Sequence, residues 1–442
     1  RPPVAMLAFL AKPDSPSYMV LGRIGAAVLA LISSPVVARA IGPDGRGETA
    51  AAIALFFLVP VLLSLGLPLE VRRRTAVGEG DEAIRSARLI ALSSAIPSLA
   101  IAVACYLTIF QGFSESARWI ATAGVFLSPM TFSWMCDLSF LVAHQRFRDV
   151  FLVQMVQPAI FTFLVLAAWL SGAASTGTVL LANLIGFTAT FFVGLSLGGV
   201  RLTGPRLGLR SLWRSSVGYA GSAVAETASF RLDQIIVLPL IGAYQAGLYS
   251  VAATIAAIPV ALGQALGAAF FTPIAQSREA DRRELQSEAT RVGFMVALFS
   301  VPPAILLSVV GIPLLFGSSF QDSVPVTIVA LVGSGLLLVA YVVSMALAAD
   351  GKGGRMTVAQ GVSLAVAVGI LLIAAPAWGA IGAAFASSLG YLLLLVILLI
   401  GLRIGPREIL PRRGDLGHGL RILIKNRQTP EPDDVQPPQI PE

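Results

Sequence analysis

The chain has 442 residues, 56% hydrophobic and only 12% charged, with a mean hydropathy of +0.82 and a formal net charge of +7. This composition lies well outside soluble-domain usage and excludes a soluble enzyme or binding domain. It is that of a polytopic membrane protein, because a hydrocarbon core about 30 Å thick demands roughly 20 apolar residues per helical crossing.

At the N-terminus, VAMLAFLA is too short to span and lacks a basic flank and a clean cleavage site, so it does not read as a signal peptide. Apolar runs of crossing length follow near residues 19–40, 50–70, 88–110, 117–142, 150–170, 177–198, 216–241, 247–273, 292–315, 323–349, 356–375 and 379–402. They are continuously apolar and do not alternate at period two, which predicts helices rather than barrel strands. The expected fold is all-α, with about twelve transmembrane helices in two six-helix bundles around a central cavity. Residues 1–18 form a cytoplasmic N-terminal segment, 19–200 the first bundle, 201–215 a cytoplasmic linker, 216–405 the second bundle and 406–442 a cytoplasmic tail. That tail ends QTPEPDDVQPPQIPE, Pro-rich and acidic, and cannot bury a core; GLRILIKN at 419–426 suits the inner membrane surface.

The distribution of positive charge tests this topology, since an extra or missing crossing would scramble the sides of later loops. With both termini cytoplasmic, 27 of the 31 Lys and Arg fall in inner segments. Only Arg39, Arg46 and Arg118 lie outside, and Arg231 alone is left in mid-membrane. The high net charge is therefore an orientation signal that meets anionic headgroups, and gives no evidence for nucleic-acid binding. Cys105 and Cys136 both fall in predicted crossings, without metal-ligand spacing.

An internal repeat organises the chain. IGPDGRGETAAA at 41–52 and IGAYQAGLYSVA at 241–252 share Ile-Gly, a second Gly five residues on and the final Ala, at an offset of 200 residues. Weaker matches keep the same order: LVPV at 58–61 with AIPVA near 257–261, and ANLIG at 182–186 with ASSLG at 386–390. Each half has an even number of crossings, so the halves share orientation about an axis along the membrane normal, with the cavity between them.

ARAIGPDGRGE (38–48), RLDQIIVLPLIGAYQAGLYSVAAT (231–254) and WGAIGAAFASSLGY (378–391) resemble the polysaccharide and O-antigen flippases of the multidrug/oligosaccharidyl-lipid/polysaccharide exporter superfamily, over roughly residues 17–405. The resemblance implies a V-shaped twelve-helix transporter that moves undecaprenyl-pyrophosphate-linked oligosaccharides to the outer leaflet of the bacterial plasma membrane. It also implies that the first and seventh helices border the cavity, where basic residues hold the pyrophosphate. These motifs are loop and packing signatures, which identify a family better than a substrate.

The seventh predicted helix is the most charged. At about 100° per residue, Tyr219, Ser222, Glu226, Ser229 and Asp233 share one narrow stripe. Arg231 points about 160° away from Asp233, so the two are not an intrahelical pair. A charge near mid-bilayer costs at least about 2.5 to 3.5 kcal/mol and ordinarily faces a bundle interior or a cavity. Glu226 and Asp233 are thus candidates to take a proton or a sodium ion, or to contact sugar hydroxyls. Arg231 is a candidate for pyrophosphate or for clamping a carboxylate elsewhere. For both, the structural alternative is an interhelical ion pair.

Arg23 on the first helix shares a face with Ala27, Ala30 and Ser34, small residues that suit a cavity wall or close packing. Its alternative is snorkelling to inner-leaflet phosphates, and Arg39 reads as a turn or headgroup residue. Asp137 on the fourth helix is expected to pair with Arg146 or Arg148 if structural, and to face substrate otherwise. Gln154 and Gln157 on the fifth helix and Asn183 in the sixth could bind sugar, although interhelical hydrogen bonding is the more ordinary use. Glu70 with Arg73 and Arg74 reads as an interfacial charge cluster, and Ser33-Ser34-Pro35 as a point where the first helix can bend.

Catalysis is not expected: outer loops are about ten residues or fewer, and the inner loops carry no phosphate cradle, metal cluster or catalytic carboxylate pair. The alternatives are a cation-coupled drug or metabolite antiporter of the same superfamily and, in another class, a polytopic glycan polymerase or ligase. The lipid II branch usually carries two further helices, for which this chain has no residues. The expected partners are a lipid-linked oligosaccharide, membrane lipids and two kinds of biosynthetic enzyme, a polysaccharide polymerase and glycosyltransferases, with the transporter itself a monomer. No cofactor or metal is expected beyond a coupling H+ or Na+.

Overall fold

The computed structural model describes residues 17–405; within them the side chains of Ser17, Val20, Ser222, Ala223, Glu226, Glu279 and Ala280 lie outside the description, as do residues 1–16 of the predicted N-terminal segment and the predicted tail. Twelve α-helices follow in order: α1 (Ser17–Ser64), α2 (Leu67–Ala76), α3 (Gly80–Ser93), α4 (Ala95–Leu107), α5 (Glu115–Phe126), α6 (Ser128–Ala143), α7 (Phe147–Leu170), α8 (Thr176–Gly198), α9 (Leu209–Gln276), α10 (Glu279–Phe316), α11 (Ser323–Ala349) and α12 (Gly353–Leu402). No strand occurs among the described residues.

These helices do not map one to one onto the predicted crossings. Within α1, α9 and α12 a single glycine leaves helical geometry: Gly42 (φ 68°), Gly242 (φ 82°) and Gly379 (φ 60°). Positive φ costs glycine nothing and any other residue a steric clash, so the chain reverses there without a loop. The reversal is visible in contacts no straight helix could make. Arg46 reaches Ser34 twelve residues earlier, Tyr249 reaches Asp233 sixteen earlier, and a Cβ on Gly382 would strike the Ala374 carbonyl oxygen. The short outer loops expected near 41–49 and 242–246 are therefore helical except at one residue. Keeping the backbone helical up to the turn satisfies its polar groups where water is scarce.

Among the described residues eight helical stretches are long and apolar enough to cross a membrane, or nine if α5 and α6, bent by 44°, count as one. Three of the nine are folded double at the glycines just named, which brings the apolar segments to the twelve read from the sequence. The end carrying the three glycine turns is called apical below, and the opposite end basal.

At the apical end the two halves meet backbone to backbone. A Cβ on Gly47 would strike the Ala243 carbonyl oxygen, and one on Gly247 would strike that of Pro43. The contact is reciprocal at the 200-residue offset of the repeat, so a pseudo-two-fold axis passes between the glycines. Two arginines fasten it. Arg39 donates Nε to the Leu315 carbonyl oxygen at 2.8 Å and Nη2 to that of Leu314, capping the C-terminal carbonyls of α10. It thus binds the other half, not the headgroups. Arg46 donates to Ser34 Oγ at 2.9 Å and to Thr254 Oγ1 at 3.3 Å across the halves. The largest apolar cluster runs through this interface, with Phe56 and Phe187 from the first half and Ile235, Leu238 and Leu248 from the second.

The basal end is closed by α2 lying on the start of α9. Leu212 joins Leu67, Val71 and Ile84 in one buried cluster. Glu70, 1% exposed at its side chain, accepts two hydrogen bonds from Arg73 (2.8 and 2.6 Å), one from Arg74 (2.9 Å) and one from Ser215 Oγ of α9 (2.9 Å). The segment joining the halves is strapped down by Arg85 on the Arg201 and Pro205 carbonyls, Ser86 on Leu207 and Arg88 on Val200.

The Arg73 hydrogen bonds, with those of Arg74 and Ser215, hold the Glu70 carboxyl down at about 2, against an ordinary value of 4.5. A depressed folded-state value stabilises the fold fully above about pH 4.5, and that contribution is lost as the pH falls toward 2. Glu70→Gln should therefore lower unfolding stability at pH 7 by about 1 to 3 kcal/mol, discounting the exposed half of Arg73. Denaturant unfolding in detergent should show the gap to wild type narrowing between about pH 5 and pH 3, a gap constant over that range being the contrary result.

Candidate functional site

The polar stripe lies on the first arm of α9. Asp233 stands nine residues before the Gly242 turn and Tyr249 seven after it, so the reversal brings them level. Tyr249 donates its hydroxyl to Asp233 Oδ2 and shares a 3.0 Å hydrogen bond with Ser387 Oγ of α12. The other carboxylate oxygen accepts from the Gln234 backbone N–H at 2.7 Å. Asp233 borders a cavity inside the second half, between the first arm of α9, α11 and both arms of α12. Tyr341, Ser344, Gln360, Ser363 and Tyr391 put oxygen-bearing side chains around an otherwise apolar wall. The Ser363 hydroxyl is buried without a partner. One carboxylate among hydroxyl and amide oxygens suits a proton or a small hard cation, which prefers oxygen ligands.

Arg231 looks the other way. Its guanidinium carbon lies 4.8 Å from the centroid of the Phe57 ring, on the second arm of α1 in the opposite half. Asp233 acts on it through space, and the two form no ion pair. Among the described residues Arg231 has neither a hydrogen bond nor a salt bridge, and the residue is half-buried. A half-buried arginine in mid-span that keeps all its donors is a charge with no acidic partner.

The remaining candidates are dispersed. Arg23 is exposed near the start of α1, with no hydrogen bond or ion pair among the described residues. Its neighbours Gly22 and Gly25 pack on α7, where a Cβ on Gly22 would strike Gln154 Oε1. Gln154 is thereby wedged between two helices, its Oε1 buried without a partner. Ser34 is buried and taken up by Arg46. Ser222 and Glu226 belong to the stripe by position, and their side chains lie outside the described residues.

Asp137 is 0% exposed and accepts from Arg88 Nη2 at 2.7 Å, while Arg88 also holds the Val200 carbonyl oxygen at 3.0 Å. This pair staples α3, α6 and the end of α8. The expected partners Arg146 and Arg148 are replaced by Arg88, because Arg146 lies beyond the end of α6 and pairs with Asp149 at 2.7 Å. Losing one member of such a buried pair leaves an uncompensated charge, which fits a structural role.

Several residues of the site carried no sequence signal. Tyr249 sits within the repeat motif, but only the Gly242 reversal sets it against Asp233. Phe57 is one apolar residue in an apolar run. Arg46, an outer charge by sequence, is drawn in between the halves, and its Nε is buried without a partner.

The sequence profile of a family described as "Polysaccharide biosynthesis protein" matches residues 15–271. No curated protein matches the chain. Among solved structures, "Lipid II flippase MurJ, inward closed conformation" superposes with a TM-score of 0.74 at 14% identity, over 92% of this chain and 91% of that one. An inward-facing multidrug resistance MATE family transporter of the MOP superfamily gives 0.65 at 15% identity, over 86% and 94%. The MATE multidrug transporter DinF-BH gives 0.61 at 13% identity, over 92% and 97%. At these identities the likeness is one of fold.

Proposed function

Because this chain belongs to the polysaccharide biosynthesis protein family, we propose that it is a flippase for an undecaprenyl-pyrophosphate-linked oligosaccharide. It carries this lipid from the inner to the outer leaflet of a bacterial plasma membrane by alternating access, for surface polysaccharides such as O-antigen or exopolysaccharide. The observation that carries this reading is Arg231, a mid-span guanidinium between the halves with every N–H donor uncommitted. A lipid-linked pyrophosphate needs such a group, because its charge must cross the level at which water is scarcest. A planar fork of donors matches phosphate oxygens, and low dielectric strengthens each contact.

With the termini cytoplasmic, the basal end faces the cytoplasm and the apical glycine turns face outward. Arg23, near the basal end of α1, meets the pyrophosphate first and Arg231 takes it deeper. Asp233, with Tyr249 and Ser387, binds the coupling proton or sodium ion, and the stripe running back through Glu226 and Ser222 contacts sugar hydroxyls. The chain acts as a monomer that receives its substrate from glycosyltransferases and passes it to a polymerase. Asp137 and Gln154 are assigned to packing. A cation-coupled drug or metabolite antiporter is the second reading, favoured by the Asp233 cavity, whose largely apolar wall would also suit a small amphipathic solute.

Reconstitution into liposomes with a labelled undecaprenyl-pyrophosphate oligosaccharide tests the flippase reading. Wild type should move the label across the bilayer, Arg231→Ala about tenfold or more slowly, as expected for one lost charge-assisted contact, and Arg23→Ala less severely. Correctly inserted wild type that moves no label would refute it, and unchanged transport in both variants would refute the arginine assignment. For the coupling role, Asp233→Asn should abolish stimulation of transport by an imposed proton or sodium gradient; stimulation equal to wild type would contradict it.

A further inference from the structure

We propose that Phe57 is the positioning residue for Arg231, an aromatic platform supplied by one half that orients the anion-binding guanidinium of the other; this rests on the reading of Arg231 given above. The ring lies 4.8 Å from the guanidinium carbon, within cation–π range, and is the one direct contact of Arg231 with a charged or aromatic group among the described residues. Phe57 is itself fixed. Its ring stands edge-on to Phe187 of α8 at 5.3 Å and 77°, and Phe187 is held in turn by Phe56 at 6.5 Å and 81°. Phe187 is 5% exposed, so the platform is anchored in the packed core of the first half.

The choice of partner matters chemically. A carboxylate would hold the arginine by its edge, occupy the donors a phosphate needs and neutralise the charge that attracts it. A ring quadrupole interacts with the cation without accepting its in-plane hydrogen bonds, so the donors and the positive charge both stay available. The repeat shows that the platform is specific to one half: at the 200-residue offset Phe57 corresponds to Ala257, and Arg231 to Leu31. Because platform and cation belong to different halves, the arginine is held in this orientation only while the halves are together at this level. Binding strength at Arg231 therefore follows the conformational state of the transporter.

The test is direct binding of undecaprenyl pyrophosphate to the purified full chain in detergent, for wild type, Phe57→Leu, Phe57→Tyr, Arg231→Ala and the Phe57→Leu/Arg231→Ala double variant. Loss of the platform should raise Kd about tenfold in Phe57→Leu, the order of a desolvated cation–π contact. Phe57→Tyr, which keeps the ring, should stay within about twofold of wild type. In the Arg231→Ala background Phe57→Leu should change nothing further, which a merely structural role would not produce. Should Phe57→Leu fail to fold, Phe57→Met removes the ring while keeping a flexible apolar filler. Wild-type affinity in Phe57→Leu, equal weakening by Leu and Tyr, or additive losses in the double variant would overturn the positioning role. Wild-type affinity in Arg231→Ala would instead overturn the reading of Arg231 and the platform with it.

Discussion

Gly47 and Gly247 bring two helical hairpins into backbone contact, each glycine standing where a side chain would strike the carbonyl of the other repeat. In a membrane no hydrophobic force drives helix against helix, so close approach depends on small residues and van der Waals packing. This contact sets the level at which everything else in the interface meets. It puts Arg39 on the last carbonyls of α10, Arg46 between Ser34 and Thr254, and Phe57 against Arg231. The glycine turns at Gly42 and Gly242 make the approach possible by removing the loops that would otherwise hold the hairpins apart.

The scaffold is symmetric and its chemistry is not. At the 200-residue offset Ser33 stands for Asp233, Thr49 for Tyr249, and Leu31 for Arg231, while Arg39 and Arg46 correspond to Pro239 and Ala246. Asp233, Tyr249 and Arg231 thus belong to the second half alone, and the arginines that fasten the apical contact to the first. Duplicated helices share a backbone and diverge in the few side chains that face each other. The two halves accordingly press on one another with unlike groups: a cation on a ring, a guanidinium on a helix end, an arginine on a threonine hydroxyl.

Much of this was legible in the sequence. The crossing count, the repeat and its Ile-Gly turns follow from hydropathy and spacing, because every lipid-facing helix must satisfy the same length and polarity limits. The divergence of Asp233 from Arg231 follows from helical geometry alone. What was not legible depends on partners far apart in sequence. Arg88 for Asp137 is 49 residues away, Leu315 for Arg39 is 276 away, and nothing at either position marks it as a partner. Phe57 was invisible for a different reason: an aromatic residue in an apolar run declares burial, and only the facing helix makes it a platform.

The halves are joined at the apical glycine contact in this state, and the alternating access proposed above has them part there. Spin labels at exposed positions either side of that contact, Asp44 on the first half and Trp378 on the second, with Cys105 and Cys136 replaced, would report the opening by pulsed electron–electron resonance in nanodiscs. A short-distance population should dominate in the resting protein, and a second, longer one should grow when undecaprenyl-pyrophosphate oligosaccharide and an ion gradient are supplied. A single unchanged distance under all these conditions would contradict the account.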